Sequence, residues 1–169
     1  TVQFNSPGTF YWVATFTGTG GAGNSASACG DEILTVRQNT STSTTLHERT
    51  SSAGTTDVSP ANNGASITVL TGAYVNDVAT VGGNSPTGSV AFKYYPSLGD
   101  CTDDTNGTTA GSSSVTSGSA TSSTVQFNSP GTFYWVATFT ATGGAGDSAS
   151  ACGDEVPTVR KNTLTSTTL

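Results

Sequence analysis

Three cysteines, Cys29, Cys101 and Cys152, are the residues of this chain best suited to covalent chemistry. Cys29 and Cys152 occupy equivalent positions of a sequence that occurs twice, so a complete repeat contains two cysteines. We therefore pair Cys101 with Cys152 and expect the partner of Cys29 to lie outside the sequence. A zinc site is the alternative, but two cysteines and one histidine do not supply the four ligands of a structural zinc ion.

A disulfide between Cys101 and Cys152 would close a long loop. On the loop-entropy model this restrains the unfolded chain by about 4 kcal/mol. Structural disulfides persist in oxidising compartments. The pairing therefore predicts an extracellular or cell-surface protein.

His47 is the only histidine and stands in the segment LHERT. A catalytic Ser–His–Asp triad would need it buried beside a serine and an acid. Serine and threonine together make up 56 of the 169 residues, so a serine near any side chain is expected by chance. We expect His47 to be a solvated residue near a domain junction, and we expect no enzyme.

Acidic side chains could supply the oxygen ligands that calcium prefers. The candidates are Asp77, Asp100, Asp103, Asp104, Asp154 and Glu155. Their spacing is not that of a calcium-binding loop with a distant glutamate. The pattern favours solvated loop acids and no cofactor, with a weak calcium site as the alternative.

Lys93 raises the alternative of an internal isopeptide cross-link. An attacking lysine must be desolvated and neutral, with a carboxyl or amide partner and a nearby carboxylate. Asp77 or Asn76, together with Glu155, could fill those roles. Strand alternation places Lys93 on the face opposite Val90, Phe92 and Tyr94, which favours a solvated lysine.

Two segments match the acceptor pattern for N-linked glycans. They are Asn39 in NTS and Asn106 in NGT. Such matches arise by chance in a chain this rich in serine and threonine, so glycosylation is an open alternative.

Strands must position all of these residues. Aromatic runs such as FYWVATF and VAFKYYP alternate with other residues as strands do, and turn-forming residues separate the runs. The pattern predicts strands near 42–48, 66–71, 74–81, 88–95, 122–128, 131–140 and 154–160. Trp135 is expected in the core against the disulfide, and residues 102–120 are expected to form a polar loop.

About seven short antiparallel strands with one disulfide and a core tryptophan predict an all-β fold. The expected architecture is an immunoglobulin-like β-sandwich with a Greek key.

Residues 1–46 align without a gap with residues 124–169, and 40 of the 46 positions are identical. The period of 123 residues is the length of an independent domain, which predicts a tandem array of domains. We divide the chain into the C-terminal part of one repeat (1–40), a complete repeat (41–162) and the start of the next (163–169). The sequence is then part of a longer array.

Composition argues against two classes of partner. The chain contains only five lysines and arginines and has a formal net charge of −6, so a nucleic-acid partner is not expected. It has no long apolar run, so a membrane span is not expected.

The succession of STTL, VNDVATV, GSVAFKYYPSLGDC, VQFNSPGTFYWVATFT and SACGDEVPTV resembles the Ig-like repeats of large bacterial surface proteins. Similar motifs recur in that order in those repeats: VxDxAT, GxVxFxxY followed by a cysteine, GTYYWxAxY and xCGxExxTV. The resemblance covers essentially all of 41–162, and residues 1–40 match its second half. It implies a secreted or cell-wall-attached stalk or adhesin domain without catalysis.

The expected function is therefore structural. The chain would be a repeat of an extracellular stalk, adhesin or fibre, and its partners would be neighbouring repeats or further copies that join into filaments. Because almost no linker separates VRQNT from STSTTL, we expect a semi-rigid string. The alternative is a module that binds a glycan or a host protein, which exposed aromatics such as Tyr94, Tyr95 and Tyr134 would favour.

Overall fold

Threonine, valine and aromatic side chains suit the pleated surface of a sheet, and strands dominate the structure. The computed structural model describes residues 1–163. In residues 1–40 the strands are β1 (Gly8–Trp12), β2 (Thr15–Phe16), β3 (Ser25–Ala26) and β4 (Glu32–Val36). The predicted all-β fold class is confirmed.

Residues 41–163 contain eleven strands and two short helical segments. The strands are β5 (Ser41–Arg49), β6 (Ser66–Leu70), β7 (Ala73–Gly82), β8 (Gly88–Tyr95), β9 (Thr108–Ser114), β10 (Ser119–Thr121), β11 (Val125–Phe127), β12 (Gly131–Thr132), β13 (Tyr134–Ala141), β14 (Ser148–Ala149) and β15 (Val156–Arg160). The helical segments are a 3₁₀ turn (Pro60–Asn62) and α1 (Leu98–Thr102).

Two antiparallel sheets enclose the core of residues 41–163. In the first, β7 pairs with β5 along one edge and with β10 and β11 along the other. The second has the order β14-β13-β8-β9. Alternate residues of the central strands are buried between the sheets. Among them are Leu46, Val75, Val90, Phe92, Trp135, Ala137 and Phe139.

A third, smaller sheet closes one side and has the order β12-β15-β6. Its β6 and β15 run parallel, with Ser66 opposite Val156 and Leu70 opposite Arg160. This pair departs from the antiparallel pairing expected for every strand.

The segment 102–120 was predicted to be a loop, and that prediction is wrong. It contains β9 and β10, and α1 (98–102) precedes it. The polar sequence hid β9 because this edge strand is held by backbone pairing with β8 and buries only one apolar side chain, Ala110. Serine and threonine occupy the exposed positions of β9.

The other predicted strands lie close to the observed ones. The predicted 131–140 is divided at Phe133 into β12 and β13. Phe133 N–H still donates to Pro157 O in β15 (3.0 Å). From Tyr134 onward the chain forms β13, which pairs with β8. The predicted ranges 42–48 and 88–95 match β5 and β8 closely.

Candidate functional site

Residues 1–40 fold with the register of residues 124–163. Five of the seven backbone pairs in the first segment have a counterpart 123 residues later. The exceptions are Phe10–Leu34 and Tyr11–Ile33, because the later copy is divided at Phe133 into β12 and β13. Examples are Gly8–Val36 and Gly131–Val159, Trp12–Glu32 and Trp135–Glu155, and Thr15–Ala26 and Thr138–Ala149. We call 41–123 the first half of a repeat, and 124–163 or its equivalent 1–40 a second half.

The two second halves differ in what covers them. In the later copy, Trp135 and Phe139 are fully buried against the first half. In the earlier copy, the apolar side chains are exposed to a substantial extent. They are Val2, Tyr11, Trp12, Val13, Phe16, Ile33 and Leu34. Of these, Trp12 and Phe16 lie on the face whose equivalents Trp135 and Phe139 are buried in the later copy, and we call it the uncovered face of residues 1–40. Tyr11 and Val13 alternate with Trp12 and lie on the opposite face.

Pairing with β8 explains the contrast. All eight residues of β13 pair with β8, and the Trp135 ring stacks on Tyr94 with centroids 5.5 Å apart. In residues 1–40 no strand takes the place of β8. Trp12 packs there only on the edge of Phe4, with centroids 6.2 Å apart.

A disulfide joins Cys101 to Cys152, with Cα atoms 5.9 Å apart, and the predicted pairing is present. Its predicted position is wrong. Both cysteines line a recess together with Val136 and Thr138, which alternate with Trp135 along β13 and so lie on its other face. The disulfide therefore attaches α1 to the outer surface of the sheet and does not lie in the core.

Cys29, the equivalent of Cys152, is exposed and has no disulfide partner among residues 1–163. The backbone around it is nevertheless formed as in the later copy. Asp31 Oδ2 accepts from Ala28 N–H (3.0 Å), as Asp154 Oδ2 accepts from Ala151 N–H (3.1 Å). The Cys29 turn therefore has the same local hydrogen bond as the turn that holds a disulfide in the later copy.

The junction between residues 1–40 and the complete repeat is held by direct hydrogen bonds. Gln38 N–H donates to Gly144 O, and Gly146 N–H donates to Gln38 O, both at 2.8 Å. The Thr40 hydroxyl donates to Gly146 O (2.7 Å) and to Ser148 Oγ (3.0 Å). We call this set the repeat junction.

Glycine permits the close approach at the repeat junction. A Cβ built on Gly146 would lie 3.2 Å from Gln38 O, which is tighter than an ordinary contact. The hydrogen bonds of Gln38 at this junction use only its backbone. This explains why its equivalent can be Lys161 in the other copy.

Asp77 and Glu155 form a buried acidic pair. Asp77 has no exposed surface, and among the described residues no other side chain donates a hydrogen bond to its carboxyl oxygens. Burial, reinforced by the negative charge of Glu155, raises the pKa of Asp77 to about 8. Burial also raises the pKa of Glu155. The sequence suggested solvated loop acids here, which is wrong for both residues.

Lys93 lies on the exposed outer face, where its Nζ is 2.8 Å from Asp104 Oδ1. Tyr95 Oη donates to the same oxygen (2.6 Å). Burial and this carboxylate raise the pKa of Tyr95 to about 12. Lys93 is not brought to the buried Asp77 or to Glu155, so the arrangement needed for an isopeptide bond is not assembled.

His47 lies on β5 and is only partly exposed. Its Nδ1 is 3.1 Å from Asp57 Oδ1, and Arg49 donates to the same oxygen. The Asn63 amide donates to Asp57 Oδ2 (2.8 Å). These hydrogen bonds with Asn63 and His47, and the charge of Arg49, lower the pKa of Asp57 despite the opposing effect of burial. His47 was expected to be solvated, but it belongs to a hydrogen-bonded structural cluster.

The remaining acids are scattered. Within residues 1–163 no group of three or more His, Cys, Asp or Glu side chains is arranged to hold a metal ion. Asp100 holds the start of α1: its backbone N–H donates to Ser97 Oγ, and its carboxylate accepts from the Asn106 amide (2.6 Å). Asn39 and Asn106, the two glycan acceptor candidates, are both exposed.

The aromatic patch that would favour ligand binding is not formed by the residues proposed for it. Tyr94 packs against the core cluster beside Phe127 and Phe133. Tyr95 is buried, and Tyr134 is half-buried.

Sequence reasoning missed two features of these surfaces. One is the buried acidic pair, which carries no pattern that marks an acid as internal. The other is the loop 144–146 of the repeat junction. Its signal was present in the segment GGAG, which occurs in both copies, since glycines mark places where backbones approach closely.

No protein-family model matches the chain, and comparison with curated proteins gives no significant match. The likeness to bacterial Ig-like repeats rests on the motifs alone. Among residues 1–163, no helix has both the length and the apolar composition required to cross a bilayer.

Proposed function

We propose that this chain is a section of a tandem array of Ig-like repeats that forms an extracellular stalk, adhesin or fibre. Its role is to give stiff, disulfide-stabilised spacing or to build a filament. The observation that carries this proposal is the repeat junction, in which direct hydrogen bonds of Gln38 and Thr40 hold residues 1–40 against the loop 144–148. A flexible tether would leave these groups to water.

The path of the chain through the complete repeat supports a spacing role. Ser41, where the chain enters, pairs with Gly82 at one end of β7. Arg160 O, where it leaves, accepts from Thr71 N–H (2.8 Å) just before the other end of β7. The ten residues of β7 span about 33 Å at the usual rise of a strand. Each repeat would therefore add its length to the array.

The disulfide supports a location outside the cytoplasm. Cys101–Cys152 restrains a separation of 51 residues and attaches α1, a single short helix, to the sheet. Bonds of this kind persist where thiols are not kept reduced.

Electron microscopy of the native full-length protein tests the proposal. A chain of evenly spaced domains, with a spacing somewhat above 30 Å, is expected. Long ordered filaments with a regular axial repeat would indicate assembly, and single strings projecting from a surface would indicate a spacer. A compact particle in which the repeats pack side by side would contradict the proposal.

A further inference from the structure

We propose that Asn106 is a site of spontaneous deamidation, and that the carboxylate formed there loosens the attachment of α1. An asparagine followed by glycine is prone to this reaction, because glycine has no Cβ to hinder the attack of its own backbone nitrogen. The chain contains two such pairs, Asn63–Gly64 and Asn106–Gly107. Only the second is placed to react, and the inference does not depend on the proposed function.

The reaction closes a ring within the chain. The Gly107 backbone nitrogen loses its proton and attacks Cγ of Asn106. The new N–Cγ bond forms, and the Cγ–Nδ2 bond breaks to release ammonia. Water then opens the succinimide ring: attack at the former side-chain carbonyl gives aspartate, and attack at the backbone carbonyl gives isoaspartate. One ammonia is lost and one water is gained, so no oxidant or cofactor is consumed.

The backbone around Asn106 can move to permit ring closure. Residues 102–109, from the end of α1 to the start of β9, are all exposed. Among the described residues the Gly107 N–H has no backbone acceptor. Asn106 has a φ of 53°, a left-handed conformation that carries strain in a residue other than glycine. Exposed segments with few such bonds open locally at low cost, so the ring can close without unfolding the repeat.

The Asn63–Gly64 pair is held in place. Gly64 N–H donates to Leu46 O, and Gly64 O accepts from Leu46 N–H, both at 3.0 Å. Leu46 has no exposed surface, and the Asn63 amide donates to Asp57 Oδ2 (2.8 Å). Ring closure at Asn63 would first have to break this attachment to β5. The chain therefore contains a matched control for Asn106.

The fold requires glycine at position 107, which keeps the reactive pair in the sequence. A Cβ built on Gly107 would lie 2.5 Å from Cε1 of the buried Tyr95. Tyr95 Oη donates to Asp104 Oδ1 (2.6 Å), so a larger residue at 107 would displace a ring that is fixed at both its face and its hydroxyl.

The new carboxylate would meet Asp100 in the first turn of α1. The Asn106 amide donates to Asp100 Oδ1 at 2.6 Å. Hydrogen bonds from Ser97 and Asn106 lower the pKa of Asp100, so its carboxylate is charged at neutral pH. Deamidation replaces one of these donors by a second negative charge, and like charges repel. Cys101 is the next residue, so the change acts on the helix at the cysteine that joins it to the sheet.

The test incubates the folded full chain at mildly alkaline pH. The chain is produced without glycosylation, because a glycan on the Asn106 amide would block the reaction. Cleavage before aspartates then isolates Asn63 in residues 57–76 and Asn106 in residues 104–146. Aspartate at 106 creates a new cleavage site, whereas isoaspartate leaves residues 104–146 uncut but heavier by the exchange of ammonia for water. Mass spectrometry measures both products.

We expect conversion at Asn106 to be at least about tenfold faster than at Asn63, and the difference to shrink in denaturant. Equal conversion of the two asparagines in the folded chain would overturn the assignment. So would an unchanged Asn106, or aspartate formed there without isoaspartate, since opening of a succinimide gives both.

A second measurement tests the effect on α1. The variant Asn106→Asp carries the product carboxylate from the start. Asn84→Asp is the control, because it adds the same charge at an exposed position beyond the other end of β8. With dithiothreitol as the reductant, we expect reduction of Cys101–Cys152 to be at least about threefold faster in Asn106→Asp than in the native chain. Asn84→Asp should match the native rate, and equal rates in all three proteins would show that α1 keeps its attachment after deamidation, contrary to the proposal.

Discussion

Trp12 and Trp135 occupy equivalent positions in the duplicated sequence, each opposite a glutamate in the neighbouring strand, yet 42% of Trp12 is exposed and none of Trp135. The difference arises because only Trp135 packs against a first half, residues 41–123. Local sequence thus determines the hairpins of a second half, and burial depends on the first half. The duplicated chain therefore supplies its own matched controls.

Phe139→Ala should strongly destabilise the complete repeat, and Phe16→Ala should not. Phe139 is fully buried, whereas 57% of its equivalent Phe16 is exposed. Truncating a buried phenylalanine costs about 3–5 kcal/mol, and an exposed one costs under about 0.5 kcal/mol. Denaturant unfolding of both variants measures this. Equal losses would mean that residues 1–40 are buried in solution.

Cys152→Ser should lower the free energy of unfolding of the complete repeat by about 4 kcal/mol, since it releases a loop of 51 residues. Cys29→Ser is the matched control and should leave that free energy unchanged, because Cys29 is exposed and unpaired among the described residues. Unfolding curves of the oxidised proteins compare the two. A similar loss in both variants would show that Cys29 is also part of the folded structure.

Stability should fall as pH rises from about 5 to 8. The pKa of Asp77 is about 8 in the folded chain against 3.8 unfolded, so between these values the folded state holds one more proton. Its contribution is complete below pH 3.8 and is lost as pH rises through 8, with a slope of at most about 1.4 kcal/mol per pH unit. Burial raises the pKa of Glu155 and gives a slope of the same sign.

Asp77→Asn mimics the neutral acid and should flatten that slope. Unfolding measured at several pH values in the native chain and the variant tests this. An equal slope in both proteins would show that Asp77 is ionised in the fold. Asp104→Asn is the control, because Asp104 is exposed and hydrogen bonds with Lys93 and Tyr95 lower its pKa. The substitution Asp104→Asn should change the pH dependence of the free energy of unfolding only below about pH 4.

Thr40→Val should loosen the repeat junction without unfolding either part. The change is nearly isosteric and removes the hydroxyl that donates to Gly146 O and Ser148 Oγ. The loss for such a bond is about 1 kcal/mol. Small-angle X-ray scattering should show a broader range of orientations between residues 1–40 and the complete repeat. Thr55→Val, at an exposed position, is the control, and identical scattering from both variants would contradict a role for Thr40.

Strands with apolar alternation could be predicted from the sequence, as β6 and β8 illustrate, because burial on one face leaves a period of two. The edge strand β9 could not, since its stability comes from backbone pairing that any polar residue can supply. The cysteine pairing followed from the repeat. The position of the disulfide on the outer face could not be predicted, because it depends on α1, and a helix of five residues leaves no periodic pattern in the sequence.

The surfaces could be predicted only in part. The sequence indicated a short junction but not the contacts of Gln38 with the glycine loop, which depend on how two repeats meet. Asp77 was singled out for possible chemistry, and its burial was not foreseen. A lone acid in a strand carries no pattern that shows which sheet covers it.

The parallel pair of β6 and β15 has a consequence for load. Tension along an array would pull on each repeat through Ser41 at one end and Arg160 at the other. Because β15 lies beside β6 along its whole length, a pull along the strand shears the bonds of that ladder together and does not peel them off one at a time. Breaking this ladder would then need a higher force than peeling it open bond by bond. The Cys101–Cys152 disulfide, with its sequence separation of 51, would also prevent the segment between the two cysteines from extending.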